Sequence, residues 1–264
     1  MNSLRERVQE RLDAVTGKWW LYPLLLLPFF IPPYASQGYD PRETMGLMLE
    51  ALSHPLIYTF PALMPIAKAI PVALIASVMV FGNRTRRAFN GYVALLYIAL
   101  ACFQNTALTD THGLVIIPSN LALFLVVALL WIWEVIAERN NFEPRQQPLW
   151  KWWVAPLALL AFLAPIDAST MSPDFSPVSL LTNESGLTFC MMTPVILAVM
   201  TLYHPAVNLA VLRVSSFVGM MLGAVNMLMW FVMIPSAWWM GVLHIPLLTI
   251  SICAFVLAHQ RGEQ

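Results

Sequence analysis

The sequence predicts an all-α integral membrane protein with about eight transmembrane helices. Hydrophobic residues make up 59% of the chain and charged residues only 11%, whereas a soluble domain carries roughly 25% charged residues. The chain also divides into eight apolar runs of about 17 to 25 residues, the length that lets a helix cross a hydrocarbon layer of roughly 30 Å. This composition and this segment length together place the chain in a bilayer.

The chain opens with a charged segment, residues 1–17, that precedes the first apolar run. Leu4, Val8 and Leu12 recur in it every four residues, which is typical of a short helix lying on a membrane surface; a solvated helical leader is the alternative. We expect this segment to be a cytoplasmic interfacial helix. The eight apolar runs that follow cover residues 19–36, 57–81, 90–108, 114–137, 152–168, 187–203, 209–232 and 238–258.

The positions of Lys and Arg predict the orientation of these runs, because both residues concentrate in short cytoplasmic loops. With the N-terminus inside, twelve of the fourteen basic residues lie on or near the cytoplasmic face, Arg42 lies outside and Lys68 lies within a span. We therefore expect both termini to be cytoplasmic in a multi-pass protein of the plasma (inner) membrane. The least secure turn lies at His204-Pro205, between the sixth and seventh runs.

The first and fifth runs begin alike, with KWWLYPLLLLPFFIPPYAS at 18–36 and KWWVAPLALLAFLAPIDAS at 151–169. Aligned at an offset of 133, they match at 11 of 19 positions, including Lys-Trp-Trp and two prolines in register. Self-similarity at one period indicates a repeated unit, and an even number of runs in each unit makes the repeat parallel. The sequence thus predicts four-helix repeats over 18–140 and 141–264. Convergence of two tryptophan-anchored helices is the alternative.

Lys68 is the sharpest polar signal inside a predicted span. A charged side chain at that depth costs about 2.5–3.5 kcal/mol even on insertion scales, so it needs a partner or a wet cavity. Pro61, Pro65 and Pro71 should bend the same helix and free backbone carbonyls. The repeat counterpart of Lys68 is the apolar Leu197, and this asymmetry favours a functional role over an architectural one. Structural pairing or snorkelling of the lysine is the alternative.

The loops predicted outside the cytoplasm, 37–55, 106–113 and 167–186, are acidic and polar. Carboxylates and imidazoles are common cation ligands, so these loops predict a cation or metal entrance or a polar vestibule, with ordinary solvated loops as the alternative. No HExxH or similar spacing makes a metal site specific. Asn105 and Asn226, within spans, either bond between helices or line a pathway. The predicted substrate pathway contains Lys68, Asn105, Asp110, His112, Asp167, Asn226 and His244.

Three other residues are interpreted structurally. Glu134 lies about one turn from the cytoplasmic end of the fourth run, which favours an interfacial position over a proton relay. Gly219 and Gly223 form a GxxxG pattern that usually marks close helix packing. These residues are therefore left outside the predicted pathway.

Several function classes find no support. The chain has no Walker motif, dinucleotide-binding fingerprint or GxSxG elbow, and its net charge of zero gives no reason to expect nucleic acid as a partner. The three cysteines lie in apolar runs and imply no disulfide framework. The sequence identifies no cofactor, and it leaves metal binding open.

We expect transport or permeation of a small polar solute or ion, with a polar vestibule on the extracytoplasmic side. The alternative is an integral membrane subunit, an anchor or a quinone- or redox-coupling component, of a larger multi-subunit complex.

A third hypothesis is an intramembrane enzyme. HPAVN at 204–208 has the HxxxN spacing of one motif of CAAX-type membrane proteases, but the EExxxR motif is absent. The short loops cannot hold a catalytic domain, so we expect no enzyme activity from this chain alone. Other protein chains or further copies of this chain are the partners considered besides the bilayer.

Overall fold

The computed structural model describes residues 2–143, 147–167 and 170–260. The fold is mostly helical, as predicted. The helices are α1 (Asn2–Thr16), α2 (Leu21–Leu26), α3 (Thr44–Ser53), α4 (Met64–Phe81), α5 (Arg86–Ala99), α6 (Pro118–Ala137), α7 (Val154–Leu163), α8 (Pro177–Thr182), α9 (Phe189–Tyr203), α10 (Leu209–Leu228) and α11 (Trp238–His259). Short 3-10 or π segments, Leu27–Phe30, Leu100–Gln104 and Met229–Met233, extend α2, α5 and α10.

Within the described residues, four helical stretches are long and apolar enough to cross a membrane: Pro61–Gln104, Pro118–Ala137, Leu209–Met233 and Pro235–His259. The pair Pro177–Leu187 and Phe189–Tyr203 makes a fifth if its 85° bend is counted inside one span. Two further apolar helices, Leu21–Phe30 and Leu149–Leu163, are shorter. The length and composition of these four to five helices identify the chain as a membrane protein. They are fewer than the eight membrane spans that the sequence predicts.

Local backbone chemistry explains why the first and fifth runs give short helices. The first run carries prolines at 28, 32 and 33, and proline removes a backbone donor and clashes with the preceding helical turn. The helix of the fifth run, α7, ends at Leu163; its C-cap residue, Ala164, adopts a left-handed conformation with φ of 42°, and Pro165 follows. The longest stretch, Pro61–Gln104, is divided by Gly82 at φ of 56°, a conformation that favours glycine.

A small antiparallel sheet corrects the all-α prediction. Strands β1 (Tyr34–Ala35), β2 (Thr106–Thr109) and β3 (Gly113–Ile116) pair in the order β1-β3-β2. The ends of two predicted spans, 106–108 and 114–116, are therefore strands. Gly113 closes the hairpin at φ of 63°, where a side chain would be strained. Leu47 and Ala51 of α3 pack on Ala107 and Val115, which buries one face of the sheet.

The first outer loop, 37–55, contains the helix α3. Asp40 accepts a hydrogen bond from the backbone N–H of Arg42 at 2.9 Å, which caps the 3-10 turn Pro41–Glu43 that leads into α3. This is the capping role expected of an aspartate that directly precedes Pro41. The local signal in the sequence was sufficient here.

Hydrogen bonds define two ends of the helical bundle. At the end that carries α1, Tyr22 Oη lies 2.8 Å from His259 Nε2. At the end that carries the sheet, the N–H of Phe189 donates to Gln104 at 3.0 Å, and Trp239 donates to the carbonyl of Pro165 at 2.6 Å. We call these the α1 end and the sheet end.

Close packing of α10 on α11 accounts for the glycine pattern. A Cβ on Gly223 would lie 2.9 Å from Leu248 Cα, so only glycine lets the two backbones approach this closely. Gly219 faces Ser251 and Thr193 in the same way. The predicted role of Gly219 and Gly223 in close helix packing is confirmed.

Candidate functional site

Two adjoining cavities open at the sheet end, with volumes of about 590 and about 210 Å³. Leu52, Ser53, Met171 and Met240 line both of them, so we treat them as one feature, the sheet-end vestibule. Its walls come from α3, α11 and the π segment after α10. The polar residues that line it are Glu50, Ser53, Tyr58, Thr170, Asn183, Glu184, Ser185, Thr188 and Ser236.

One ion pair lies beside the vestibule. His112 Nδ1 is 2.8 Å from Glu50 Oε2, and Glu50 lines the larger cavity. Asp110 is exposed in the turn of the same hairpin as His112. The predicted pathway residue His112 therefore reaches the vestibule through Glu50, which the prediction did not include in the pathway, whereas Asp110 is not among the residues that line either cavity.

Asn226 and His244 come together around Trp230. The indole N–H of Trp230 donates to Asn226 Oδ1 at 3.0 Å, and the rings of Trp230 and His244 lie 6.4 Å apart. Nδ1 of His244 lies 2.7 Å from the carbonyl of Met240. Because a carbonyl only accepts, Nδ1 carries a proton, which leaves Nε2 of a neutral ring as an acceptor. Trp230 and Met240 both line the vestibule, so this group forms its floor.

Lys68 is buried, with 4% of its surface exposed. It is not among the residues that line the vestibule. Its ammonium donates to the carbonyls of Phe162 and Leu163, at 3.1 and 3.3 Å, and to that of Leu180. Phe162 and Leu163 end α7, and Leu180 lies near the end of α8, so Lys68 caps two helix C-termini where a positive charge is favoured. Among the described residues Lys68 forms no ion pair at contact distance.

Asp167 and Asn105 occupy separate positions. Asp167 accepts from the backbone N–H of Thr170 at 3.3 Å, and Thr170 lines the vestibule. Asn105 is fully buried and donates to the carbonyl of Leu100 at 3.0 Å, closing the π segment before β2. The structure thus groups Asn226 and His244 under the vestibule, places Asp167 and His112 beside residues that line it, and leaves Lys68 and Asn105 apart.

A buried carboxylate organises the α1 end. Glu134 is fully buried, so it lies inside the protein rather than at the interface where its sequence position put it. It accepts from the backbone N–H of Asn140 at 2.7 Å, from Asn208 Nδ2 at 2.7 Å and from Asn90 Nδ2 at 3.3 Å. These donors come from α5, from the chain after α6 and from the residue that caps α10, so one carboxylate joins three elements.

The same network ties α1 to the bundle. Gln9 and Asn208 bond to each other through both amide groups, at 3.0 and 3.1 Å, and the indole N–H of Trp133 donates to Gln9 at 2.8 Å. Gln9 and Asn208 also line a cavity of about 510 Å³ at the α1 end, which we call the α1-end cavity. Of these two lining residues, Asn208 also donates to the carboxylate of Glu134 at 2.7 Å, so one side chain joins the cavity wall to the buried acid.

A partly buried counterpart, Glu138, is the C-cap residue directly after α6. Glu138 bonds with the guanidinium groups of Arg86 and Arg87. The bond from Arg86, then that from Arg87, holds the pKa of Glu138 below its ordinary value. Arg86 also donates to the carbonyl of Asn140 at 3.1 Å. The ion-pair cluster of Arg86, Arg87 and Glu138 is therefore joined to the Glu134 network.

Buried hydroxyl groups lie between the two ends. Tyr97 Oη is 3.1 Å from Thr193 Oγ1, and Trp131 donates to Ser215 Oγ at 3.2 Å. Ser251 Oγ and Thr201 Oγ1 are buried and have no hydrogen-bond partner among the described residues. Buried polar atoms are usually paired, so unpaired ones in a core call for a physical reason.

Sequence reasoning missed most residues of the α1-end network. Asn90, Asn140, Asn208 and Gln9 are dispersed along the chain, and the fold alone brings them together. One signal was available: a carboxylate in an apolar run needs several donors, and asparagine clusters at the run's end supply them. Asn208 belongs to HPAVN, where it caps α10 by accepting from the N–H of Ala210 at 3.2 Å.

No family profile, curated protein or solved structure matches this chain. Within the residues that the structure describes, no group of three or more His, Cys, Asp or Glu side chains could hold a metal ion. The site must therefore be interpreted from its own geometry.

Proposed function

We propose that this protein moves a small polar solute or ion across the plasma (inner) membrane, between the sheet-end vestibule and the α1-end cavity. The observation that carries the proposal is the series of buried polar side chains between the two cavities. A bundle that served only as an anchor would not need hydroxyls along its core, because apolar residues pack there without polar partners.

The series follows helical turns. From Glu134, Trp131 lies three residues back on α6 and bonds to Ser215 of α10. Gly219, one turn further along α10, faces Ser251 and Thr193. Because a turn rises about 5.4 Å, these groups follow one another at short intervals.

The series then reaches the vestibule. Thr193 contacts Tyr97, and Thr188, five residues earlier at the start of α9, lies 2.7 Å from the hydroxyl of Tyr58. Thr188 and Tyr58 both line the smaller cavity of the vestibule. These contacts support a polar route that opens at the sheet end.

The transport proposal includes eight membrane crossings with the α1 end in the cytoplasm. Pro61–Gln104 has 44 residues, about 66 Å of helix at roughly 1.5 Å per residue, so Gly82 divides it into two crossings of a layer of roughly 30 Å. The remaining crossings are α2 with its 3-10 extension, α6, α7, α9, α10 and α11. Under this proposal, α2 and α7 begin equivalent four-helix units.

Flux into vesicles tests the proposal. Purified protein in liposomes should carry at least one of three probes faster than empty liposomes: protons read by an internal pH dye, potassium, or glycerol read by light scattering. Thr193→Val should lower that flux at least tenfold without loss of folded protein. Ser77→Ala is the matched control, because among the described residues Ser77 bonds only to the carbonyl of Leu74 within its own helix. Wild-type flux in Thr193→Val would exclude the proposed route.

The alternative function, a membrane subunit of a larger complex, makes a different prediction. Purification of the native protein in mild detergent, followed by mass spectrometry and an absorption spectrum, should yield stoichiometric partner chains or a chromophore if that alternative holds. A colourless single chain or homo-oligomer with flux supports transport. Absence of flux with all three probes, together with a stable partner, would replace the transport proposal.

A further inference from the structure

Helix α4 stands partly apart from the rest of the bundle. The part of α4 nearer the sheet end packs against α8 and the 3-10 turn Glu184–Leu187, and its other end joins α5. The backbone of α4 makes only sparse contacts with α7 and α9. Between these three helices lie two cavities of about 360 and about 180 Å³ that share Ile75, Met79, Trp152, Val199 and Leu202. We call them together the lateral cleft.

The walls of the lateral cleft are apolar along most of its length. Val72, Met79 and Leu159 are each more than half exposed along it, at 54%, 53% and 55%. Small side chains, Ala76 and Ala155, keep it open. In a bilayer this surface faces hydrocarbon, so a hydrocarbon chain is the chemistry that fills it.

A buried side-chain amide interrupts this apolar lining at the α1 end of the cleft. Gln147 lines the smaller cavity beside Trp152, and its Nε2 is buried without a hydrogen-bond partner among the residues that the structure describes. A buried amide donor in an apolar cavity costs free energy until an acceptor reaches it. Trp152 marks the depth of the headgroup boundary, where indoles concentrate and where the ester carbonyls of a glycerolipid lie.

We propose that the lateral cleft binds one membrane glycerolipid, with an acyl chain between α4, α7 and α9 and an ester carbonyl that accepts a hydrogen bond from Gln147 Nε2. The lipid supplies both of the things that the cleft lacks, apolar volume and one acceptor at interfacial depth. It also fills the gap that separates α4 from the bundle. The site lies apart from the sheet-end vestibule and does not depend on transport.

Native mass spectrometry of the full chain in detergent tests this site with two probes. The first is dioleoyl phosphatidylglycerol, and the second is its ether-linked analogue, which keeps the head group but lacks the ester carbonyls. Wild type should bind one molecule of the ester lipid about fivefold more tightly than the ether lipid, the effect of about one hydrogen bond. Gln147→Leu should bind both with the affinity that wild type has for the ether lipid.

A second variant tests the apolar part. Ala76→Phe should weaken binding of both lipids at least tenfold by filling the cleft, whereas Ala73→Phe, on the exposed surface of the same helix one turn away, should bind like wild type. Absence of a saturable lipid adduct, unchanged binding by folded Ala76→Phe, or retention of a prenyl quinone in place of a glycerolipid would each overturn the proposal. If Ala76→Phe fails to fold, the ester-to-ether ratio of Gln147→Leu decides.

Discussion

Lys68 and Glu134 are two buried charges at opposite ends of the bundle, and the protein satisfies them by different means. The ammonium of Lys68 is bound by backbone carbonyls of α7 and α8. The carboxylate of Glu134 is bound by one backbone N–H and two side-chain amides. The apolar residues around each charge make it recognisable in the sequence as one that needs partners. The partners themselves are of different kinds.

The difference matters because backbone and side-chain partners have different alternatives. The carbonyls of Phe162 and Leu163 also accept from Ser185 and Asn183, respectively, so they keep a donor if Lys68 is lost. The N–H of Asn140 and one N–H of Asn208 point at Glu134 and have no second acceptor that the described contacts supply. We therefore expect the acid to be the more important of the two for stability.

The largest expected effect is that of Glu134→Leu. It removes the acceptor for three buried N–H groups, and each unsatisfied group costs about 1–3 kcal/mol, so we expect a loss of more than about 3 kcal/mol or no folded protein. Glu134→Gln keeps one acceptor oxygen, so its stability should lie between those of wild type and Glu134→Leu. Thermal melting in detergent measures this, with Glu43→Leu at an exposed site as the control. A Glu134→Leu protein that melts like wild type would remove the contrast between the two charges.

Lys68→Met should have a smaller effect. It loses charge-assisted hydrogen bonds, worth about 1.5–3 kcal/mol each, but it also relieves the burial of a charge, and two carbonyls keep other donors. We expect a net loss of about 2 kcal/mol by thermal melting. Lys18→Met, at an exposed position, should melt like wild type. Normal melting with abolished flux would instead place Lys68 in the transport pathway, as its sequence position predicted.

Gly186→Ala tests the surroundings of Lys68 without changing its charge. The new Cβ would lie 2.8 Å from the backbone of Ala67, so α4 must move away from the turn, at a cost of about 1–2 kcal/mol. Gly91→Ala is the matched control, because nothing lies within 4 Å of its Cβ and alanine favours a helix. We expect lower thermal stability for the first variant and equal or higher stability for the second. Equal melting would show that this junction is loosely packed.

The smallest effect concerns Glu138, the partly buried acid one turn after Glu134. The pKa of Glu138 is lowered by Arg86 and Arg87, so its contribution to stability is present above the ordinary value of about 4.5 and is lost as pH falls through the lowered pKa. Because the pair is largely solvated, we expect less than about 1 kcal/mol. Wild type should melt slightly above Glu138→Gln at pH 7, and the difference should vanish towards pH 3. A difference that grows with acid would contradict this sign.

The sequence predicted those features that depend on local chemistry. The apolar runs, the close packing at Gly223 and the burial of Lys68 follow from composition, spacing or one residue's cost in a membrane. The partners of Lys68 were not predictable, because backbone carbonyls leave no signature. The same holds for Asn90 and Gln9, which reach Glu134 or its partner Asn208 only through tertiary packing.

The sheet was missed for a related reason. Residues 106–108 and 114–116 are the ends of apolar runs whose hydropathy suits a helix, and no strand is visible without its partner. β1 supplies that partner from a distant part of the chain, with Tyr34 opposite Ile116. Pairing between distant segments therefore decided the local structure.

The chain segments on both sides of Gly38 are held by the same β-hairpin. On one side of exposed Gly38, β1 pairs with β3, and on the other side α3 packs its Leu47 and Ala51 on the same sheet. A protease site inserted at Gly38 would cut the polypeptide yet leave both pieces attached to one hairpin. Fragments 1–38 and 39–264, coexpressed, should therefore reassemble in the membrane, which makes Gly38 a suitable place to split the protein into two complementing fragments.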